Sequence, residues 1–151
     1  MAVDRLDPFL IAAKQSGFAF YLTKGSGSVL HIGGTDPRYT DKDIEYHPIL
    51  EHEYDGQTPS YWMIGDGKIR VNGKIVVSGI STIIDSGTDM ISGPMGSVTT
   101  IYTNIRHREF SMQDPLQQYF VLPCNSKFDE IPEITFSWGA EGKEWPIDRE
   151  R

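Results

Sequence analysis

Apolar positions along this chain come in short alternating or continuous runs separated by Gly-, Pro- and Asn-rich breaks. That rhythm predicts many short strands joined by tight turns. Phe18–Leu22 and Val29–Ile32 flank Lys24-Gly-Ser-Gly-Ser28, a hairpin signal, and Gly33-Gly-Thr-Asp-Pro37 turns the chain again. Ile44, Tyr46 and Pro48–Leu50 suggest a further strand. Tyr61–Ile64 and Lys68–Val71 read as strands, with Asn72-Gly73 a type I′ turn into Ile75–Val77. Thr82–Ile84 is a short apolar strand that ends at Asp85, and Tyr119–Leu122 and Glu133–Trp138 complete the set. Two helices are predicted. One covers Asp7–Gly17, with Asp7 as cap, Pro8 at the first helical position and Gly17 as stop. The other covers Gly96–Ile105, where Val98, Ile101, Tyr102 and Ile105 fall at helical spacing. The prediction is a mostly β fold with two short helices, and residues 1–151 read as one domain without linker or repeat.

Composition narrows the picture. A hydrophobic fraction of 38% with 3 Trp, 7 Tyr and 7 Phe supplies a packed core and excludes disorder. The formal charge of −7, with no basic stripe, sets the summed field against phosphate backbones, so no nucleic-acid partner is expected. No apolar run approaches the roughly 20 residues that span a bilayer, and Met1–Lys14 carries Asp4, Arg5 and Asp7 instead of a signal-peptide core. Neither a membrane partner nor a leader is predicted. The single Cys124 has no internal disulfide partner and reads as a small buried hydrophobe.

The segment with chemistry is Ser81-Thr-Ile-Ile-Asp-Ser-Gly-Thr-Asp-Met-Ile-Ser-Gly-Pro94. Apolar and β-branched residues deliver a carboxylate to a strand end, and Ser86, Gly87 and Thr88 form a tight turn. Backbone N–H groups and hydroxyls can there converge on Asp85 and favour its charged form. Gly87 leaves room for another backbone to approach. A lone Asp-Ser-Gly is a weak signal, but its surroundings are specific. Upstream lie Phe18-Ala-Phe-Tyr-Leu22, His31-Ile-Gly-Gly-Thr-Asp-Pro37, Tyr61-Trp-Met-Ile64 and Val71-Asn-Gly-Lys74. Downstream lie Leu122-Pro-Cys124 and Ile131-Pro-Glu-Ile-Thr-Phe-Ser-Trp138.

In this order the segments resemble the C-terminal lobe of the pepsin-like aspartic proteases over nearly the whole chain. The resemblance implies a pepsin-like lobe and an endopeptidase chemistry in which two aspartates, one per lobe, activate a water without metal, cofactor or covalent intermediate. It makes Asp85 the catalytic aspartate of this lobe and Ser86 part of its active-site loop. It has Thr88 tie the two active-site loops together by a hydroxyl–backbone bond, Gly87 bond the substrate backbone, and Ile83 and Tyr21 line subsites for a peptide substrate.

The chain also departs from the family pattern. No second Asp-Thr/Ser-Gly is present, since Asp55-Gly56 and Asp66-Gly67 are turn dipeptides. The second aspartate is therefore expected from an N-terminal lobe on another chain or from a second copy, as in single-lobe retroviral-type proteases. Family members continue past the equivalent of Arg151, and Cys124 stands where they have half of a disulfide, so the lobe is expected to be incomplete. Asp89 stands where Ser or Thr usually contacts the substrate backbone, and a second carboxylate there would oppose ionisation of Asp85. The competing reading is a non-catalytic or vestigial peptide-binding lobe. Family members are typically secreted or vacuolar, and the sequence leaves the compartment open.

Other clusters read more simply. His47, Glu51, His52, Glu53 and Asp55 carry metal-ligand side chains but form a solvated acidic loop on the simplest view, and no metal is predicted. His31, between Leu30 and Ile32, reads as a structural histidine, and His107 as part of a solvated turn. Ser81 and Ser86 lack the Gly-x-Ser-x-Gly frame of a hydrolase nucleophile.

Overall fold

A computed structural model describes residues 12–15, 17–40, 42–51, 61–88, 90–105, 109–114, 117–121, 126–127 and 130–148, of which 109–114 and 117–121 are described by their backbone alone. The fold is mostly β, and the chain packs as two compact units, Met1–Glu45 and Tyr46–Arg151.

The first unit is built on an antiparallel hairpin of β1 (Phe18–Tyr21) and β2 (Val29–Ile32), with Phe18 opposite Ile32 and Tyr21 opposite Val29. The connecting turn is closed by its own side chains. The Thr23 hydroxyl donates to Ser26 O at 2.8 Å, and the Thr23 N–H donates to Ser28 Oγ at 3.0 Å. Beyond β2 the chain turns at Asp36, which is only 5% exposed and is held three ways. The Arg38 guanidinium chelates its carboxylate, the Arg38 N–H donates to Oδ1 at 2.9 Å, and His31 Nε2 lies 3.2 Å from Oδ2. The same guanidinium sits 4.4 Å from the centre of the Tyr21 ring, a cation–π contact. His31 is thus the structural histidine that its setting suggests.

The Arg38 bonds, side chain first and then backbone, pull the Asp36 carboxyl down to about 2. A group whose folded value is depressed stabilises the fold above its unfolded value, roughly 3.9, and loses that contribution as pH falls through the folded value. The turn should therefore stay clamped at about pH 3, where an ordinary aspartate is mostly protonated. Thermal melts of Asp36→Asn against the parent chain check this: the gap in Tm should be widest above about pH 5 and close towards pH 2.

The second unit centres on a four-stranded antiparallel sheet. Its strands are β3 (Met63–Val71), β4 (Lys74–Ile83), β7 (Ile134–Ser137) and β8 (Trp145–Pro146), in the order β4-β3-β7-β8. Between β4 and β7 in sequence come the helix α1 (Met95–Thr103), which packs against β4, and a separate hairpin of β5 (Glu109–Asp114) and β6 (Gln117–Val121). The β3–β4 turn has Asn72 and Gly73 at φ 50° and 77°, the positive values a type I′ turn needs. Asn72 also extends the β3–β7 ladder. Its N–H donates to Glu133 O at 2.8 Å, and the Glu133 N–H donates to Asn72 Oδ1 at 2.9 Å.

Alternation along the central strand sorts its side chains. Ile69 and Val71 are buried at 5% and 3% exposure, and Ile64 and Ile105 join them as the buried apolar side chains among the described residues. On the other side of the strand, Arg70 Nη1 donates to buried Ser137 at 2.8 Å, and Arg70 Nε lies 3.3 Å from Glu144. Lys68 Nζ donates to Gly139 O at 2.7 Å. These bonds tie the loop after β7 back onto the sheet.

Several predicted elements are redrawn. The strands predicted at Tyr61–Ile64 and Lys68–Val71 are one strand with a bulge at Gly65-Asp66-Gly67, and Ile75–Val77 and Thr82–Ile84 likewise merge into β4. Residues 44–50 form no strand; Pro48 has no N–H to give a ladder, and the segment meets the sheet through the Leu50 N–H to Met63 O. The helix predicted at Gly96–Ile105 runs from Met95 to Thr103. Of the helix predicted at Asp7–Gly17, residues 7–11 and 16 lie outside the described residues; Ala12 is helical, and the chain has left the helix by Lys14, whose φ is 53°.

Candidate active site

Strand β4 ends at Ile83, and two residues later the chain presents Asp85 at an exposed turn. The turn closes on the carboxylate itself. The Gly87 N–H donates to Asp85 Oδ1 at 2.8 Å, and the Thr88 hydroxyl donates to Oδ2 at 2.6 Å. A Cβ at Gly87 would sit 3.2 Å from Oδ1, close enough that the carboxylate would have to give by a few tenths of an ångström. One donor on each oxygen favours the charged form. The Asp85 carboxyl is accordingly held below the usual aspartate range, first by the Thr88 hydroxyl and then by the Gly87 N–H, against a smaller opposing effect of burial.

Within this chain the Thr88 hydroxyl donates to the carboxylate of its own loop. Thr88→Val, which keeps the shape and removes the hydroxyl, should raise the titration midpoint of Asp85 towards that of an ordinary aspartate. Carboxyl ¹³C NMR across the acid range reads this directly, and an unmoved midpoint would overturn the assignment.

The chain and the ladder next to Asp85 carry exposed apolar residues. Ile83 and Ile84 are 50% and 52% exposed, and Tyr61 and Trp62 are 46% and 57% exposed. Backbone pairing sets the four at the same end of the β3–β4 ladder: the Ile84 N–H donates to Trp62 O at 2.9 Å, and Met63 pairs with Ile83. Sequence reasoning singled out Ile83 and overlooked Tyr61 and Trp62. The signal was present: a Tyr-Trp pair opening the strand that runs antiparallel to the Asp85 strand has to end beside it. Beyond the turn, Gly93-Pro94 leads into α1, whose first turn is joined to Pro94 O by the Val98 N–H at 3.0 Å.

The second unit thus brings together Ile83, Asp85, Ser86, Gly87 and Thr88. Ser86 is exposed in the same turn. Tyr21 belongs to the first unit, half-buried beneath Arg38. Asp89, Cys124, His107 and the acidic-loop residues His52, Glu53 and Asp55 lie outside the described residues. His47, from the same predicted loop, packs edge-on against Trp138 with ring centroids 6.0 Å apart. Among the described residues no group of three or more His, Cys, Asp or Glu side chains is arranged to hold a metal ion. No helix among them is long and apolar enough to cross a membrane.

The chain is similar in sequence to known proteins. The chain is 33% identical over 124 residues to pregnancy-associated glycoprotein 2 of Sus scrofa, covering 80% of this chain and 26% of the relative. It is 31% identical over 130 residues to pepsin A-5 of Mus musculus, covering 83% and 30%, and 26% identical over 134 residues to cathepsin D of Clupea harengus, covering 85% and 31%. The chain thus spans less than a third of the length of these relatives. No solved structure matches it. The model of the eukaryotic aspartyl protease family matches residues 10–150, almost the full chain, and the chain belongs to that family.

Proposed function

We propose that this chain is a C-terminal-type lobe that contributes one of the two carboxylates of an aspartic endopeptidase. The observation that carries the reading is the Asp85 turn: an exposed carboxylate at a strand end, with a donor on each oxygen and apolar side chains on either side. In such a dyad one carboxyl is ionised and the other protonated, because two adjacent negative charges oppose each other. Asp85, already favoured in its charged form, suits the base. It takes a proton from the water that attacks the peptide carbonyl while the partner carboxyl gives its proton to the developing oxyanion. Ile83, Gly87, Thr88, Asp89 and Tyr21 are assigned to the binding of a peptide substrate, and Ser86 to the active-site loop.

The second carboxylate would come from an N-terminal lobe or from a second copy related by a two-fold axis. A denatured protein substrate at acidic pH tests both. Rates that rise with the square of chain concentration indicate pairing of copies. Rates that appear only on addition of a second lobe indicate the other source. Absence of cleavage under both conditions would sink the catalytic reading and leave a lobe that binds peptides without cutting them.

A further inference from the structure

Trp138 follows the last residue of β7. The β3–β7 register, with Lys68 opposite Ser137, brings Trp138 level with Gly67, the next position along the central strand. A Cβ at Gly67 would lie 2.8 Å from Ile80 Cγ1, 3.0 Å from Ile80 O and 3.1 Å from Thr82 Oγ1, so this point of β3 is kept clear by the absence of a side chain. From β7 the indole reaches across the central strand to β4, where its Nε1–H donates to Thr82 Oγ1 at 3.0 Å. The ring stacks on Phe136 at 6.3 Å and takes the edge contact from His47, so its orientation is fixed from two sides.

The bond falls at a weak place. The β3–β4 register breaks between Ile64 and Gly67. Beyond that break the end of β4 is held to β3 by the pairs Ile64–Thr82 and Met63–Ile83 and by the Ile84 N–H to Trp62 O. Asp85 comes directly after this short stretch. A tie from β7 to Thr82 spans the break and anchors the stretch to the rest of the sheet.

We propose that Trp138 is a positioning residue for the Asp85 loop, acting through Thr82 to fix where β4 delivers that carboxylate. The proposal deepens the reading of Asp85 given above. Its test reads ionisation and not cleavage, so the two fail separately. The physical link is geometric: the Gly87 and Thr88 donors hold their strength only while the strand end keeps them at hydrogen-bonding distance and angle.

The experiment is a carboxyl ¹³C NMR titration of the full chain and of four variants: Trp138→Phe, Thr82→Val, the double variant and Thr82→Ser. Phe keeps the stacking and Val keeps the β-branch, and amide spectra verify that each variant is folded. Each of the first two should move the Asp85 midpoint upward. The double variant should move it no further than the larger single shift, because both substitutions cut one bond. Thr82→Ser, which restores the hydroxyl, should keep the parent value. An unmoved midpoint in folded Trp138→Phe and Thr82→Val, additive shifts in the double variant, or a Thr82→Ser shift equal to that of Thr82→Val would each overturn the proposal. In the unmodified chain, the Trp138 indole proton should exchange with solvent as slowly as the Ile84 amide; faster exchange counts against the tie.

Discussion

A chain carrying Asp85→Asn is expected to lose acid-dependent cleavage by a factor of about 10²–10⁴, the usual contribution of a positioned general acid or base. Asparagine is the informative replacement. Its Oδ1 can still accept one of the two donors that Gly87 and Thr88 direct at the carboxylate, so the turn keeps most of its shape. What it cannot do is exchange a proton with water. A loss of rate with an unchanged amide spectrum therefore isolates proton transfer from folding. The comparison is made at one acidic pH, with the source of the second carboxylate held fixed. Cleavage that persists at the parent rate would remove Asp85 from the mechanism altogether.

Truncation of Ile69 to alanine should destabilise the second unit by about 2–5 kcal/mol, the range for a buried Leu, Ile or Met cut to Ala. Ile69 lies on the central strand, opposite Val77 on one side and Phe136 on the other, and is 5% exposed. Its removal leaves a void that two flanking strands, already fixed by their ladders, cannot collapse to fill. A domain of this size is stable by about 5–15 kcal/mol in all, so the loss is a large fraction of the total. Urea unfolding should show a lower midpoint with an unchanged slope. Ile75→Ala is the control: at 47% exposure it removes little buried surface and should cost less than about 1 kcal/mol.

Much of this architecture was legible before any coordinates. The Phe18–Leu22 and Val29–Ile32 hairpin, the Asn72-Gly73 turn and the Asp85 loop announce themselves through local chemistry: positive-φ residues between apolar runs, and a carboxylate followed by small donors. Gly65-Asp66-Gly67 looks like a break because glycine and aspartate are poor strand formers, yet Asp66 at φ 53° is a bulge inside a continuous strand. Only the partner strand, distant in sequence, reveals that. Strand β5 carries an alternating pattern in Phe110 and Met112 that was passed over, and the two-residue β8 is too short to show one; Pro146 fits β8 only because β8 lies at the sheet's edge. That an N–H and a hydroxyl of the turn converge on Asp85 was legible, and Gly87 and Thr88 are the residues that supply them. Tyr61 and Trp62 were recognised as part of a strand, and their place beside Asp85 comes from pairing across the sheet.

The exposed apolar residues next to that turn have a colloidal consequence. Trp62, Ile83, Ile84 and Ile91 are exposed, and the formal net charge of −7 at pH 7 sets molecules of this chain to repel one another there. The isoelectric point near 5.0 falls on the route to the acidic conditions in which an aspartic endopeptidase works. Slow acidification would hold the chain where repulsion vanishes and these side chains can bind one another, so dilution in a single step to below that point is the way to bring it into an assay dispersed.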